Sequence, residues 1–285
     1  MIDILLLTHN RSGWLHQCVL SLFGQSVGKH IYVLDNGSTD ETTWTLLEEL
    51  SNHPNGELSA HRRNENKMDG FRYIYDRIEE HSEYTCLFCD DDIMLPDSLA
   101  PRLQAMNDNQ GLGMVHTQAY TMGEDGTRTG TMGQQQDVHS QTKLSGALDF
   151  HRLITLNYVI SPTVMFRTSV LENYKDLMTT DRFLCNDWMM YLSMAHDGVD
   201  AAYLTTPTVQ LRIHGNQIAR QKSISGEYIN SHFDIWKHWH QRGYEPNDDE
   251  YAALQRQVGT LSSMGGLNLN EQLDRLRKEF RGGHA

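Results

Sequence analysis

An apolar run that ends in three consecutive carboxylates constrains the fold of this chain more than any other stretch. Residues 84 to 89 are apolar and end at a turn, which predicts a buried β-strand. Asp90, Asp91 and Asp92 follow at once, and Pro96 comes soon after. Three adjacent aspartates repel one another, so a core strand that ends in them needs a compensating positive charge. A divalent metal such as Mg²⁺ or Mn²⁺ suits carboxylate oxygens and keeps positions open for phosphate oxygens. If strand alternation continues through the triplet, Asp90 and Asp92 project to the same side and grip one ion.

Size and composition favour a soluble globular protein. The 285 residues can bury a proper core, as one large domain or as a domain with an appendage. Lys and Arg number 24 against 37 Asp and Glu, a formal net charge of -13 that argues against a nucleic-acid partner. The apolar run at residues 4 to 7 is far too short for a transmembrane segment or a signal peptide. We therefore expect a cytoplasmic protein, with peripheral contact to a membrane still open.

The four cysteines are few and scattered, which suits a reducing compartment without a disulfide framework. Cys86 and Cys89 form a C-x-x-C pair, the spacing of some zinc and redox sites. Their odd separation on a predicted strand points the two thiols to opposite faces. We interpret them as two small core residues.

Ahead of the triplet, the chain alternates between strand, polar loop and helix. Residues 2 to 8 and 31 to 34 are apolar and strand-like, and each run leads through a polar loop into an amphipathic helix. A third strand near residues 58 to 62 and a helix near 70 to 81 precede the strand that ends at the triplet. This alternation predicts a parallel sheet with right-handed crossovers and ligand-binding loops at the carboxyl ends of the strands.

The second half of the chain is less regular. Residues 122 to 143 form a long polar loop rich in glycine, which we interpret as lining an acceptor side. Residues 144 to 156 are predicted to be helical, and residues 159 to 166 to form a strand with a bulge or edge at Pro162. From residue 222 the pattern is helical. Its aromatic stripe, which includes Trp236, is either core packing or a wall that binds acceptor or lipid.

Three motifs together resemble those of the family 2 glycosyltransferases with the GT-A fold. They are Leu-Thr-His-Asn-Arg at residues 7 to 11, Leu-Asp-Asn-Gly-Ser-Thr-Asp-Glu-Thr at 34 to 42, and Phe-Cys-Asp-Asp-Asp-Ile-Met-Leu-Pro-Asp at 88 to 97. Their order and spacing match that family as well. The resemblance implies an α/β fold, with a Rossmann-like, mostly parallel sheet flanked by helices.

The resemblance also implies a division of the chain. Residues 1 to 220 would form the GT-A domain, with a nucleotide-sugar half at 1 to 110 and an acceptor half at 111 to 220. Residues 221 to 285 would form a C-terminal helical extension, through which membrane contact or a homo-oligomer is conceivable.

Donor and metal residues follow from the matched motifs. The residues implied for the donor are Thr8, Asn10, Arg11, Asp35, Asn36, Asp90 and Asp91. Arg63 and Lys67 are either phosphate contacts or solvated surface charges. The metal, Mn²⁺ or Mg²⁺, would be held by Asp90, Asp91 and Asp92. His214 is a further candidate ligand, although most lone histidines are ordinary packing or surface groups. Asn36 stands where the family often has a second Asp, which leaves the identity of the base open.

The catalytic base implied by the family is Asp187. It opens a predicted helix in Asn186-Asp187-Trp188, so the alternative is a carboxylate that stabilises a helix N-terminus. The family typically carries Glu-Asp-Trp here, and Asn186 replaces the Glu. Asn186, Trp188 and Arg212 are candidate acceptor contacts.

The implied reaction is a metal-dependent, inverting transfer of a sugar from a nucleoside-diphosphate sugar to a hydroxyl group. The acceptor would be a glycan, a lipid-linked molecule or a protein, in the synthesis of cell-surface polysaccharide or glycoconjugate. An inert sugar-nucleotide- or glycan-binding protein is one alternative, suggested by Asn36 and Asn186. A haloacid dehalogenase-like phosphatase is another. Met94 stands where that motif has Thr or Val, and two strand-helix units precede the triplet, which disfavours the phosphatase.

Overall fold

The computed structural model describes residues 1–54, 57–133, 144–179, 184–215, 217, 222 and 224–282, without the side chains of 144–147. Within these residues a ten-stranded sheet is flanked by helices on both faces. The strands are β1 (Ile2–Thr8), β2 (His30–Asn36), β3 (Leu58–Arg63), β4 (Tyr84–Cys89), β5 (Ile93–Met94), β6 (Met114–Met122), β7 (Arg128–Met132), β8 (Leu144–Ala147), β9 (Met165–Arg167) and β10 (Asp200–Arg212). The helices are α1 (Ser12–Phe23), α2 (Glu41–Ser51), α3 (Gly70–Tyr75), α4 (Leu99–Asp108), α5 (Phe150–Thr155), α6 (Thr168–Leu171), α7 (Asn186–His196), α8 (Glu227–His240), α9 (Asp248–Gly265) and α10 (Leu269–Phe280).

The first half of the sheet is parallel, as the alternation of strands and helices predicts. The strand order is β3-β2-β1-β4-β9-β6-β10-β5, with β7 paired to β6 and β8 paired to β10. Strands β1 to β4 are mutually parallel, so β1, β2 and β4 bring their carboxyl ends to one edge. In the second half only β6 and β10 pair in parallel, while β5, β7, β8 and β9 pair antiparallel. The sheet as a whole is therefore mixed.

The hydrophobic core is divided by the sheet into two clusters. Successive side chains of a strand point to opposite faces, so Leu5 of β1 joins one cluster while Ile4 and Leu6 join the other. The cluster that contains Leu5 extends through α5 and α7 to α8, α9 and α10. The second cluster packs β1, β2 and β4 against α1, α2 and α4. Strand β1 is buried on both faces, which explains its unbroken apolar sequence.

Two predictions for the second half were wrong in part. Residues 144 to 156, predicted as one helix, form β8, a short connection and α5. Asp149 breaks the run because its carboxylate accepts a hydrogen bond from Arg152 N–H and caps α5. Residues 159 to 166 form a single 3₁₀ turn, Ser161–Thr163, before the short strand β9. Pro162 lies in that turn, where its missing N–H costs nothing.

The polar loop that begins after β6 is partly a hairpin. Its first residues turn back so that β7 pairs with β6, while the predicted acceptor-side residues 134 to 143 lie outside the described residues.

The C-terminal region is helical, as predicted. A capping box begins α9, where Asn247 and Glu250 each accept a hydrogen bond from the other's backbone N–H. The aromatic stripe of α8 faces the core: Trp236 is fully buried and donates its indole N–H to the Ile154 carbonyl of α5. The core-packing interpretation of this stripe is therefore the one observed. None of the helices in the described part of the chain has both the length and the apolar character that crossing a membrane requires.

Candidate active site

The aspartate triplet lies in a turn at the carboxyl end of β4. The strand ends at Cys89, so strand alternation does not set the directions of Asp90 and Asp92, and that part of the sequence argument was wrong. Both carboxylates are buried, and Oδ2 of Asp90 has no hydrogen-bond partner among the described residues. Burial and the charge of Asp91 raise the pKa of Asp90 to about 7, against the opposing effects of Thr8 and Arg11. The turn therefore concentrates negative charge that no neighbour fully offsets.

Two basic side chains lie close to the carboxylate of Asp91. His214 Nε2 lies 2.8 Å from Asp91 Oδ2, and Arg11 Nη1 lies 3.6 Å from the same oxygen. Arg11 precedes α1 and His214 follows β10, so the two parts of the fold meet at this carboxylate. Trp14 of α1 supports both, with its ring 4.6 Å from the His214 ring and 5.3 Å from the Arg11 guanidinium carbon.

Asp92 is held by the end of β10. Its Oδ1 accepts a hydrogen bond of 2.9 Å from the Arg212 N–H. Burial, followed by the charge of Asp91, raises the pKa of Asp92 well above its usual value. The buried Arg212 guanidinium donates Nε–H to the Asp91 carbonyl at 2.9 Å and Nη1–H to the Glu124 carbonyl at 2.8 Å. Arg212 therefore ties the triplet turn to the β6–β7 hairpin.

The loops after β1 and β2 are organised around Asn10 and Asp35. Asn10 has a φ of 53°, and its Oδ1 accepts the Thr39 N–H at 2.8 Å. Asp35 Oδ1 accepts the Ser38 N–H at 2.9 Å, while its Oδ2 lies 3.4 Å from Arg62 Nε. These contacts bring Thr8, Asn10 and Asp35, which are predicted to bind the donor sugar nucleotide, to one edge of the sheet.

Asn36 is fully engaged by protein groups. Its Nδ2 donates to Asn66 Oδ1 at 3.0 Å and to the Lys67 carbonyl at 2.9 Å, and its Oδ1 accepts from Arg63 Nε. Arg63 also pairs with Asp69 at 2.6 Å. Lys67 is exposed and lies 2.9 Å from Glu65. Arg63 thus joins Asn36, Asp69 and the Lys67 carbonyl, and Lys67 forms an exposed ion pair with Glu65.

Asp187 lies in the first turn of α7 and is contacted by a serine. Ser161 Oγ–H donates to Asp187 Oδ2 at 2.6 Å, and Tyr191 O–H donates to Ser161 Oγ at 3.1 Å. The pKa of Tyr191 is raised mainly by burial, next by the charge of Asp187, and to a lesser degree by Cys89. Tyr191 therefore lies within electrostatic range of both Asp187 and Cys89, the last residue of β4.

The side chains of Asn186 and Trp188, which flank Asp187, are both hydrogen-bonded to backbone carbonyl groups. Asn186 Nδ2 donates to the Leu177 carbonyl at 3.1 Å. Trp188 is buried, and its indole N–H donates to the Leu153 carbonyl at 2.7 Å. Trp188 thus occupies the core in this structure, without the exposed surface that an acceptor contact needs.

A divalent cation fits the donor atoms at the triplet. Cys89 Sγ, one Asp91 oxygen and one Asp92 oxygen lie within 4.8 Å of one another. Carboxylate oxygens are the donors that Mg²⁺ and Mn²⁺ prefer, and the unpartnered Asp90 Oδ2 next to them marks uncompensated negative charge. Among the described residues, Asp90 and His214 are adjacent to this cluster rather than part of it.

Sequence reasoning missed four residues of this region: Trp14, Cys89, Ser161 and Tyr191. The helical spacing of Trp14 predicts only a place on the core face of α1. Tyr191 stands four residues after Asp187 on one face of α7, and that spacing was the available signal. Nothing in the sequence around Ser161 indicates that it contacts Asp187.

The parallel half-sheet with polar loops at its carboxyl edge, a carboxylate turn after β4 and an acidic helix start at α7 define a GT-A glycosyltransferase. The family model for glycosyl transferase family 2 matches residues 3–175, so the chain belongs to that family. This placement excludes the haloacid dehalogenase alternative.

Solved structures of Staphylococcus aureus TarS share the fold. TarS 1–349 is 16% identical to this chain, with a TM-score of 0.58 over 96% of this chain and 82% of that one. TarS 1–349 in complex with UDP-GlcNAc is 14% identical, with a TM-score of 0.57 over 96% and 83%. A longer TarS structure is 14% identical, with a TM-score of 0.56 over 98% of this chain and 52% of that one. No curated protein matches the sequence significantly.

Proposed function

We propose that this glycosyltransferase moves a sugar from a uridine-diphosphate sugar to an acceptor hydroxyl group with inversion, and that the reaction depends on Mn²⁺ or Mg²⁺. The observation that carries the proposal is the cluster of donor atoms in the turn after β4, where Cys89 Sγ and one oxygen each of Asp91 and Asp92 lie within 4.8 Å of one another. At the start of α7, Ser161 donates a hydrogen bond to Asp187 and Tyr191 donates one to Ser161, which holds a further carboxylate that can act as a base. Group transfer from a diphosphate needs a neutralised leaving group and a base for the attacking hydroxyl, held close together.

Asp91 and Asp92 would hold the metal, with Asp90 and His214 as further candidate ligands. The ion would supply positive charge to the diphosphate leaving group. Thr8, Asn10, Arg11 and Asp35 border the same edge and would bind the nucleoside and phosphates. Uridine is preferred because a structure with the same fold, TarS, is described in complex with UDP and with UDP-GlcNAc.

Asp187 would take the proton from the acceptor hydroxyl. The hydrogen bond from Ser161 holds one oxygen of Asp187 in place, and Tyr191 holds the serine. The acceptor oxygen, as it loses its proton to Asp187, attacks the anomeric carbon from the side opposite the diphosphate, which leaves; this single displacement inverts the anomeric carbon. We propose a glycan, lipid-linked or protein acceptor, at a cytoplasmic location with peripheral membrane contact allowed.

The experiment is incubation of the full chain with UDP-GlcNAc, UDP-glucose and UDP-galactose, each with Mn²⁺, with Mg²⁺ or with chelator, followed by measurement of free UDP. Slow UDP release that requires metal is the expected result, because these enzymes can pass the sugar to water when acceptor is absent. A thermal-shift panel of nucleoside diphosphates with the same metals tests the base, since ligands raise the apparent stability of the folded state.

Binding of a sugar nucleotide without release or transfer, even with a broad panel of glycan acceptors, would favour the inert binding protein instead. UDP release that is equal in chelator would remove the metal from the proposal but keep the transferase.

A further inference from the structure

We infer that Cys89 is a ligand of the divalent metal and that its sulfur makes the site select Mn²⁺ and softer ions over Mg²⁺. The inference rests on the proposed metal-dependent function, because it concerns the same site.

The strand geometry aims Cys89 away from the core that holds Cys86. Side chains alternate along β4, and Cys86 and Phe88 belong to the cluster under α1 and α4, while Leu87 belongs to the cluster that contains α7. Cys89 therefore projects to the α7 face. Its influence on the pKa of Tyr191, a residue of α7, agrees with this direction.

The turn then brings the carboxylates back over this thiol. The backbone N–H of Asp92 donates to the Cys89 carbonyl at 3.4 Å, which folds the triplet onto the strand end. This fold leaves Cys89 Sγ and one oxygen each of Asp91 and Asp92 within 4.8 Å of one another, so one ion can contact all three. Asp90, which is only 8% exposed, adds a carboxylate oxygen without a hydrogen-bond partner among the described residues at the same turn.

Two other thiols lie near but are placed differently. The Cys18 Sγ–H donates to the Cys89 carbonyl at 3.4 Å, which orients Cys18 toward the backbone of β4. Cys86 is fully buried on the opposite face of the same strand. Both serve as matched controls because they are cysteines close to the triplet that the geometry does not assign as ligands.

The donor set determines which ion fits. Mg²⁺ requires oxygen ligands in near-octahedral geometry, whereas thiolate suits Zn²⁺ and Cd²⁺, and Mn²⁺ and Co²⁺ accept mixed sets more readily than Mg²⁺. On binding, the metal–sulfur bond replaces the S–H bond of Cys89, and the proton leaves to solvent. No oxidant or reductant takes part.

The test is titration of the full chain, without donor, with Co²⁺ as a spectroscopic probe. Coordination by Cys89 should produce a near-ultraviolet thiolate-to-cobalt charge-transfer band with one ion per chain. Cys89→Ser and Cys89→Ala should both abolish the band, whereas Cys18→Ser and Cys86→Ser should keep it. Circular dichroism identifies any variant that fails to fold, and the second Cys89 variant protects the test from that failure.

Calorimetric titration with Mn²⁺ and Mg²⁺ gives the selectivity directly. Mn²⁺ affinity should fall by about tenfold or more in Cys89→Ser, since losing even an outer contact to a metal ligand costs about 10- to 100-fold in metal affinity. Mg²⁺ affinity should change less, because Mg²⁺ is bound through oxygen ligands, so the ratio of Mn²⁺ to Mg²⁺ affinity should fall.

The outcomes separate the inference from the proposed function. Cobalt binding that is abolished by Asp91→Asn but gives no charge-transfer band overturns the role of Cys89 and leaves the metal site standing. A band that persists in both Cys89 variants, or disappears only in Cys18→Ser, also overturns it. Absence of any binding of Co²⁺ or Mn²⁺ overturns both this inference and the metal dependence.

Discussion

Replacing Asp187 with Asn separates its two interpretations, catalytic base and helix-terminus charge. Asp187 accepts the Ser161 O–H through Oδ2 at 2.6 Å and the Trp188 N–H through Oδ1 at 2.7 Å, and Asn keeps only one of these two oxygens. With that oxygen at the Trp188 N–H, the new amide NH₂ faces Ser161 Oγ, which can accept a hydrogen bond. The fold of α7 should therefore persist. What the change removes is the ability to take a proton and the negative charge at the start of the helix.

The two interpretations predict effects of different size. Loss of a general base lowers turnover by about 10²- to 10⁴-fold. At about 1.36 kcal/mol per tenfold, this corresponds to about 2.7–5.4 kcal/mol in the activation free energy. Loss of a helix-terminus charge instead lowers stability by about 0.3–1 kcal/mol and leaves turnover unchanged. Donor binding should be retained in either case, because Asp187 lies on α7 rather than in the loops after β1 and β2.

The assay is the initial rate of UDP release at saturating donor and metal, with the dissociation constant of UDP measured separately by calorimetry. The matched control is Asp197→Asn at the other end of α7, where the carboxylate accepts the Tyr174 O–H at 2.9 Å and is half exposed. This control also replaces a carboxylate at the end of α7 by an amide, and it should keep its turnover.

A turnover for Asp187→Asn within about threefold of wild type would refute the assignment of the base, since that change is far below the general-base range. Equal loss of turnover in Asp197→Asn would show that the helix as a whole, rather than Asp187, is responsible.

Three further changes test other parts of the structure. Arg212→Met removes the guanidinium that donates a hydrogen bond to the Asp91 carbonyl, so metal affinity should fall. The unfolding free energy, measured by chemical denaturation, should fall by about 1.5–3 kcal/mol. Unchanged metal binding would contradict this role of Arg212. Gly37→Ala should lower the unfolding free energy by at least about 1 kcal/mol, because φ of Gly37 is +83° and the new Cβ would lie 2.6 Å from backbone atoms of Glu65 and Asn66. A variant with the stability and the sugar-nucleotide affinity of the wild type would contradict this prediction. Burial lowers the pKa of His232 to about 4, so as the pH falls the imidazole takes up a proton in the unfolded chain before it does in the folded chain. The free energy of unfolding should therefore fall by about 3 kcal/mol as the pH is lowered from about 6.5 to about 4. His232→Gln should flatten that part of the stability–pH curve, and an unchanged slope would exclude His232 as the cause.

Strands β1, β2 and β4 of the parallel half could be predicted because each is a largely apolar run, whereas the prediction of a helix near residues 70 to 81 was wrong in part, since α3 ends at Tyr75. Residues 2 to 8 form a strand buried on both faces, and Asp40 caps α2 by accepting the Thr43 N–H at 2.7 Å. The second half could not be predicted as well, since its strands are short and their edges depend on partners far along the chain. Strand β9 has three residues between β4 and β6, and the apolar pattern of residues 159 to 166 predicts a longer strand that begins earlier.

The residues of the candidate site likewise fall into a group that the sequence indicates and a group that only the structure shows. The triplet could be recognised from a local pattern because it directly follows an apolar strand, whereas Asp35 and Asp187 were indicated by the resemblance to the family. Side chains that organise them were not visible, because Ser161 and Asp187 are joined only by the tertiary fold. The sequence marks Arg212 as an acceptor contact, and only the structure shows its contacts to the triplet turn.

The hydrophobic cluster that contains Leu5 continues without interruption to Phe280, which bears on how the protein can be cut or recombined. A fragment that stops at residue 220 would uncover the surfaces of α5 and α7 against which Trp236 packs. Such a fragment should aggregate when expressed alone, and the missing helices supplied as a separate peptide should rescue its solubility. Chimeras that exchange the C-terminal helices between relatives will succeed only when the contact residues of α5 and α7 are exchanged with them.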